Sequence, residues 1–447
     1  MQRAIDAAGV PAQVGAILTL APVDAERTSD VDERAGSLRE AWCAALAPRV
    51  RTVPRLRQRL VDAPFGCGRP YWIDDPSFDI TRHVRVCPCP PPGDEQAVLR
   101  QVAELVTTPL PRDRPLWSAL LLTGLSSGEA GFVVVFHHVL ADGIGGLAAL
   151  GALVDPSPAS PERASGDDDR FPQPAPSRSD LLRDAWSSRL AAARSWRAGF
   201  RRLRLGIGEL RTTPRLDAPR SSLNRPTSPH RAMAVVRAPL APLLAVARAH
   251  GAKFNDVILT AVGAAVADLL ASRGETLPEI VVSVPVSART EANAADLGNQ
   301  VGAFPVSVPL SGDLADRLDA VATTTRARSA PSGASAAILE PAFRGMAALH
   351  LLHRFVDRQR LVNTFVTNLH GPDTRLVLLD RQITGITAVT ISEGNVTVAF
   401  AVLSYAGNVA ITVLVDPTAV STGEHLRMSA RLEHHLAVLA ALTPARA

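Results

Sequence analysis

Apolar residues recur along the chain with two periods, about 3.6 and 2, and the alternation between them predicts a mixed α/β protein. Residues 13–20 alternate weakly and predict an opening strand, 32–47 have helical spacing, and 77–86 read as a second extended segment before the turn-rich CPCPPPGDE stretch. A helix is predicted over 95–107. Two short apolar runs, 119–123 and 131–136, flank the turn-rich interval 124–130 and predict a hairpin whose second strand delivers the chain to His137. Further on, the pattern predicts a strand at 232–236, helices at 240–250 and 256–271, and a strand at 280–286. Strands at 396–403 and 409–415 face each other across a turn at 404–408, and a helix from about Thr422 closes the chain. No internal repeat is visible.

Between these halves, residues 155–179 are dominated by Pro, Ser, Asp and Arg and hold too few large apolar groups to offset the entropy of ordering. The expected layout is therefore a first domain over 1–154, a linker region over 155–231 and a second domain over 232–447. Within the linker region, Trp186, Leu190, Ala193, Trp196, Phe200, Leu203 and Ile207 recur every three or four residues, with Arg189, Arg194, Arg197, Arg201, Arg202 and Arg204 among them. This predicts a basic amphipathic helix, broken near Gly206. Its apolar stripe suits either the protein's own core or a lipid interface.

Composition narrows the class. The 447 residues are 47% apolar and 20% charged, a globular balance that excludes wholesale disorder. The best candidates for a membrane span, 131–154 and 257–270, are interrupted by His137, His138, Asp142 or Asp268, so none is expected. Asp6 interrupts the basic start a signal peptide would need, which points to the cytoplasm. Cys43, Cys67, Cys87 and Cys89 lack a second pair at metal spacing, so neither a disulfide framework nor a metal site is expected. Net charge is +4 and Lys253 is the only lysine, so the positive charge is almost entirely guanidinium. Guanidinium suits phosphate, either of a polyphosphorylated small molecule or of an anionic membrane; no motif supports nucleic acid.

The stretch richest in chemistry is His137-His138-Val139-Leu140-Ala141-Asp142-Gly143, an HHxxxDG arrangement at a strand exit. An imidazole with an ordinary pKa near 6.5 can take a hydroxyl proton at neutral pH, and an Asp-Gly pair supplies a charge and a tight turn. The structural alternative is a core histidine with Asp142 capping the helix that begins near Ile144; His434-His435 is the same dipeptide without Asp-Gly. Gly143, Gly145 and Ala148 also satisfy the GxGxxA dinucleotide pattern. That pattern needs a second strand with an acidic residue about 20 positions on, where this chain has a Pro-rich segment, so no nicotinamide or flavin is expected.

Further motifs accompany HHxxxDG in a fixed order: Arg114-Pro115-Leu116-Trp117, Leu223-Asn224, Phe254-Asn255-Asp256-Val257, Val284-Pro285-Val286-Ser287-Ala288-Arg289, Leu297-Gly298-Asn299, and Thr367-Asn368 before Gly371-Pro372. With this series, nearly the whole chain resembles the bacterial wax ester synthase/diacylglycerol acyltransferase enzymes. These lie within the HHxxxDG superfamily, alongside chloramphenicol acetyltransferase and peptide-synthetase condensation domains. The resemblance implies an α/β (α+β) fold of two chloramphenicol-acetyltransferase-like domains, mixed sheets flanked by helices, with an active-site tunnel at the domain interface.

It also implies transfer of a long acyl chain from acyl-CoA, as co-substrate without a further cofactor, to diacylglycerol or a fatty alcohol. His138 would be the general base, with no covalent acyl-enzyme. His137 would support the loop, Asp142 would hold it through an ion pair, and Gly143 would complete the motif. Asn255 is the favoured oxyanion donor, and Asp256, Ser287, Arg289, Asn299 and Asn368 are further substrate-binding candidates. The structural alternatives are Asn255-Asp256 as a helix cap, Arg289 as the partner of Asp142 or another acid that joins the domains, and Asn299 and Asn368 as turn formers. Pro115, Leu116 and Trp117 are expected to pack.

The chain departs from the family pattern at Ser118, where an acidic residue is usual, at Pro111-Arg112-Asp113, and at His370, where a small residue or Pro is usual. These departures bear on substrate preference. Two rivals stand beside the main reading: the same chemistry on a natural-product or carrier-bound acceptor, and a non-catalytic lipid-surface binding protein. A peripheral seat on the inner membrane face or on lipid droplets would fit lipid substrates.

Overall fold

A computed structural model describes residues 11–22, 31–141, 143–155, 171–194, 218–287, 301–327 and 352–442. The first half contains β1 (Gln13–Leu20), α1 (Val31–Arg51), β2 (Gln58–Val61), β3 (Tyr71–Asp74), β4 (Val84–Pro88), α2 (Glu95–Thr107), β5 (Trp117–Thr123), β6 (Ala130–His137) and α3 (Gly143–Leu153). After α4 (Arg178–Arg194) come β7 (Ala232–Pro239), α5 (Leu240–Ala249), α6 (Phe254–Ser272), β8 (Glu279–Ser287), β9 (Val301–Pro309), α7 (Leu314–Ala327) and α8 (Leu352–Val356). The chain ends with β10 (Thr364–His370), β11 (Val377–Leu378), β12 (Arg381–Val389), β13 (Val398–Tyr405), β14 (Asn408–Val415) and α9 (Thr422–Ala440).

Two mixed six-stranded sheets organise these elements, in the orders β11-β12-β1-β6-β5-β4 and β7-β14-β13-β10-β8-β9. Strand β6 shows why the sequence folds this way. Phe132, Val134 and Phe136 face α1 and α3, while Val133 and Val135 face α2, so an uninterrupted apolar run is buried on both sides. Helix α2 sits where the two sheets meet: its apolar face packs on Val133 and Val135 and also near Met233 and Leu414 of the second sheet. An ion pair between Glu95 and Arg237 adds to that contact. On the far side of the second sheet, α5, α6 and α9 cover Phe400, Val402, Ile411 and Val413.

The division into domains is less simple than 1–154 and 232–447. Residues 377–389 belong by sequence position to the second half, yet β11 and β12 complete the first sheet, with β12 antiparallel to β1 from Gly15↔Val389 to Leu20↔Ile383. Tyr405 on β13 fastens the crossover, accepting the Leu376 amide at 2.7 Å and donating to the Ile383 carbonyl at 3.1 Å.

The linker region also differs from expectation where it is described. Asp155 exchanges backbone hydrogen bonds with Val377 and pairs with Arg49 at 2.5 Å. Phe171 lies 4.0 Å under the Arg57 guanidinium, and Ala185 is buried against Gly68. Helix α4 begins at Arg178, eight residues before the predicted stripe, and the stripe beyond Arg194 lies outside the described residues. The segment 77–86 is not one extended run: the Asp79 carboxylate accepts the Thr81 amide and hydroxyl, which turns the chain at 80–82 before β4 starts.

Helix α6 is the one described helix long and apolar enough to cross a membrane, but its residues Val257 to Val266 are buried in the second core, so the protein itself covers it. Its C-terminal end is held by Arg273, which donates to the Ala419 carbonyl and to Glu424, each at 2.8 Å. Glu424 also completes a capping box with Ser421 at the start of α9. The hydrogen bond from Arg273, reinforced by Ser421, pushes the Glu424 carboxyl down to about 2. A depressed carboxyl stabilises the fold above its unfolded pKa of about 4.5, and that contribution is lost as pH falls toward 2. Glu424→Gln keeps a capping acceptor and removes the charge. It should cost about 1–2 kcal/mol at pH 7, and chemical denaturation of the two proteins should converge as pH approaches about 2.

Candidate active site

The HHxxxDG motif begins where β6 ends, and its backbone is fixed from three directions. The His137 amide donates to the Leu116 carbonyl at 3.0 Å, the His138 amide donates to the Ala12 carbonyl at 2.7 Å, and the His137 carbonyl accepts the Leu140 amide at 2.8 Å. His137 is buried, and its Nδ1 accepts the Val139 amide at 3.0 Å, which puts a neutral ring's proton on Nε2. His138 is the first residue beyond the strand and is half-buried. Leu140 and Ala141 insert into the core of the first sheet. Asp142 lies outside the described residues.

Pro115-Leu116-Trp117 explains part of this rigidity. Leu116 and Trp117 are buried, as expected of packing residues, and Leu116 supplies the carbonyl that holds His137. The Trp117 indole donates to the Leu56 carbonyl at 2.8 Å and stacks on His83, ring centroids 4.5 Å apart. His83 Nδ1 contacts the Trp117 carbonyl at 3.0 Å, and burial pushes this imidazole below the usual histidine range.

The second half of the chain reaches the motif through β10. A Cβ on Gly143 would stand 3.1 Å from the Leu369 side chain, so a larger last motif residue requires that side chain to give by a few tenths of an ångström. Gly371 is the more tightly constrained, because a Cβ there would run into the Ser404 carbonyl oxygen. Beside Leu369, Asn368 donates its side-chain amide to Asn255 Oδ1 at 3.3 Å. Asn255 lies in the first turn of the 19-residue helix α6, where the helix dipole is positive. Asn368 and Leu369 are consecutive on β10, so Asn255 and Gly143 approach that strand from its opposite faces.

Other candidates fall elsewhere. Asp256 is 1% exposed, and its two carboxylate oxygens accept the Lys253 amide at 2.7 Å and the Thr325 hydroxyl at 2.9 Å, so its contacts are those of a cap that also joins α6 to α7. Ser287 ends β8 opposite Val301, and nothing of its side chain is described. Arg289 and Asn299 lie outside the described residues. Asn224 is a clasp: it exchanges hydrogen bonds with Asn363, whose own side chain accepts the Val281 amide.

Sequence reading did not single out Gln13 or Leu369. Gln13 is fully buried opposite His137 and donates to the Thr108 carbonyl at 2.7 Å. No local pattern marks either residue, since each matters through a partner more than 90 positions away. Among the described residues, no cluster of three or more His, Cys, Asp or Glu is placed to hold a metal ion.

The sequence matches the family description "Wax ester synthase/diacylglycerol acyltransferase catalytic domain" over residues 2–258 and "WS/DGAT C-terminal domain" over 297–434. It is 30% identical over 417 residues to a probable diacylglycerol O-acyltransferase, tgs1, of Mycobacterium tuberculosis, covering 91% of this chain and 89% of that protein. The fold is similar to that of a wax ester synthase/diacylglycerol acyltransferase from Marinobacter aquaeolei VT8, with a TM-score of 0.66 at 22% identity, covering 97% and 96% of the two chains. It is also similar to the starter condensation domain of rhizomide synthetase in complex with C8-CoA, with a TM-score of 0.62 at 15% identity, covering 99% and 92%.

If Trp117 acts by holding the turn beneath the motif, Trp117→Phe should retain the stacked ring and lose one buried hydrogen bond. A drop of about 1–3 kcal/mol in unfolding free energy is expected in urea denaturation. An unchanged midpoint would show the indole donor to be idle.

Proposed function

The chain belongs to the wax ester synthase/diacylglycerol acyltransferase family, and from that premise we propose that it moves a long acyl group from acyl-CoA to the hydroxyl of diacylglycerol or of a fatty alcohol, with His138 as general base. The observation that supports this reading is the contact of the two halves at Gly143 and Leu369, next in sequence to Asn368, whose side-chain amide donates to Asn255.

In this reading the His138 imidazole takes the acceptor's hydroxyl proton as that oxygen attacks the thioester carbonyl carbon. The C–O bond forms, the carbonyl electrons move onto oxygen, and the C–S bond then breaks as they return. The departing CoA thiolate takes the proton from His138, so the enzyme ends as it began. Asn255, at the positive end of α6, donates its side-chain amide to the transient oxyanion, a type of contact worth about 10²–10³ in rate elsewhere. His137, engaged by the Val139 amide, fixes the turn. Holding both substrates in this cleft supplies the remaining acceleration through proximity.

Helix α4 supports a peripheral seat on lipid. Trp186 and Leu190, one turn apart, are 59% and 50% exposed, and Phe65, three residues before the Gly68 that packs on this helix, is fully exposed. Arg183 and Arg189 stand on the same helix, the latter 5.8 Å over the Trp186 ring. Exposed aromatics beside guanidinium groups suit the headgroup boundary of an anionic bilayer, where the lipid acceptors reside.

Labelled acyl-CoA incubated with diacylglycerol or hexadecanol, followed by thin-layer separation, tests the reaction. His138→Ala should lower ester formation by about 10²–10⁴ while leaving the thermal midpoint close to wild type. A folded variant that retains full turnover would remove His138 from the chemistry. Changing Trp186 and Leu190 together to Ser should cut co-sedimentation with phosphatidylglycerol vesicles several-fold, and equal binding by both proteins would rule out this face.

A further inference from the structure

We propose that Gln13 is a positioning residue for the histidine turn, acting through the two carbonyls that hold the His137 and His138 amides; this rests on the acyl-transfer reading above. The His138 amide donates to the Ala12 carbonyl at 2.7 Å and the His137 amide to the Leu116 carbonyl at 3.0 Å. Ala12 directly precedes β1, and Leu116 ends the segment that leaves α2 at Thr108. Gln13 joins these two supports, because its side-chain amide donates to the Thr108 carbonyl at 2.7 Å. Residues 108–116 include Pro109, Pro111 and Pro115, whose fixed φ angles stiffen the run, so a hold on Thr108 is carried to Leu116.

Strand register also sets Gln13 against the motif. Gln13 stands opposite His137 where β1 pairs with β6, and the hydrogen bond from His138 to Ala12 marks the next pair as the bonded one. Gln13 and His137 are thereby a non-hydrogen-bonded pair, the kind whose Cα atoms lie about 4.5 Å apart and whose side chains approach most closely on one face. That face is the one covered by α2, where Ile17, Val133 and Val135 are apolar.

Stability alone does not account for an amide at this place. Gln13 is fully buried, and the Thr108 carbonyl, which can only accept, fixes the side chain with its nitrogen toward Thr108 and its oxygen turned away. That oxygen, Oε1, is sealed from water and meets no donor. A buried acceptor left unmatched costs at least as much as one neutral hydrogen bond contributes, so an apolar side chain of the same length would suit the core as well or better. What the amide supplies is the tie to Thr108, and the two ends of that tie lead to the two histidine amides.

Gln13→Met keeps the length of the side chain and removes both the tie and the unmatched oxygen. With hexadecanoyl-CoA and hexadecanol, its kcat should fall by about tenfold or more through looser placement of the base, with KM for each substrate within about twofold of wild type. Its thermal midpoint should match or exceed that of wild type. Gln13→Leu should behave alike and serves if the methionine variant does not fold. An unchanged kcat in a folded variant, or a loss confined to KM, would overturn the assignment.

Hydrogen exchange reads the tie without turnover. Followed in a peptide covering residues 137–141, the amides of His137 and His138 should exchange about tenfold or more faster in Gln13→Met than in wild type, while peptides from β13 and β14 exchange alike in the two proteins. Equal exchange at the histidines would count against the proposal. If the wild type yields no ester with any acceptor, the proposed reaction fails while the exchange measurement still decides whether Gln13 holds the turn.

Discussion

The pairing of β12 with β1 is the constraint on which this architecture depends. Strand β1 lies between β6 and β12, so its backbone donors and acceptors are satisfied on both sides only if a strand from the far end of the chain is present. Without β12, β1 would be an exposed edge with an apolar face on either side, Ala16, Leu18 and Leu20 on one and Ile17 on the other. The carbonyl of Ala12, just ahead of β1, is also what holds the His138 amide. Strand β1 thus pairs with β12 on one edge and, on the other, with the strand that leads into the second histidine.

This arrangement accounts for the rigidity of the candidate site. β6 is buried on both faces and paired on both edges, and the turn that follows it is tied to Leu116, Ala12 and its own carbonyl. A motif backbone held this way loses little further freedom when a ligand arrives, which is the condition under which proximity lowers a barrier. Asn255 and Asn368, which bond each other, come from elements packed in a different core, that of α5, α6 and α9. Tyr405, bonded to both sides of the crossover, ties the second sheet to the first.

Much of the secondary structure was legible in the residues because the local signal and the tertiary environment agree. The run Phe132 to Phe136 is apolar at every position and is buried on both faces; the helix at 95–107 begins at Asp94, whose side chain accepts the Ala97 amide, and shows its apolar stripe to one core. The turn between β13 and β14 is marked by Ala406 and Gly407, both at positive φ. Several of the elements that went unread have weak patterns. β12 carries Gly385 and alternates threonine with isoleucine, β9 is interrupted by Pro305, and β2 and β3 have four residues each. Such strands are stable only because a neighbour is already in place.

The sequence by itself determined the mixed α/β class, the family, and the HHxxxDG motif at a strand exit, because each is written in residues close together in the chain. The tertiary structure decided which distant residues meet. Leu369 against Gly143, Asn368 against Asn255 and β12 against β1 join positions 113 to more than 300 residues apart, and such contacts follow from packing, not from periodicity. The structure also decided that Asp256 spends both carboxylate oxygens within the fold and that Trp186 and Leu190 meet solvent. A helical stripe or a capping residue carries no record of what it will pack against, since the same pattern satisfies a core, a ligand or a lipid surface until the rest of the chain has folded around it.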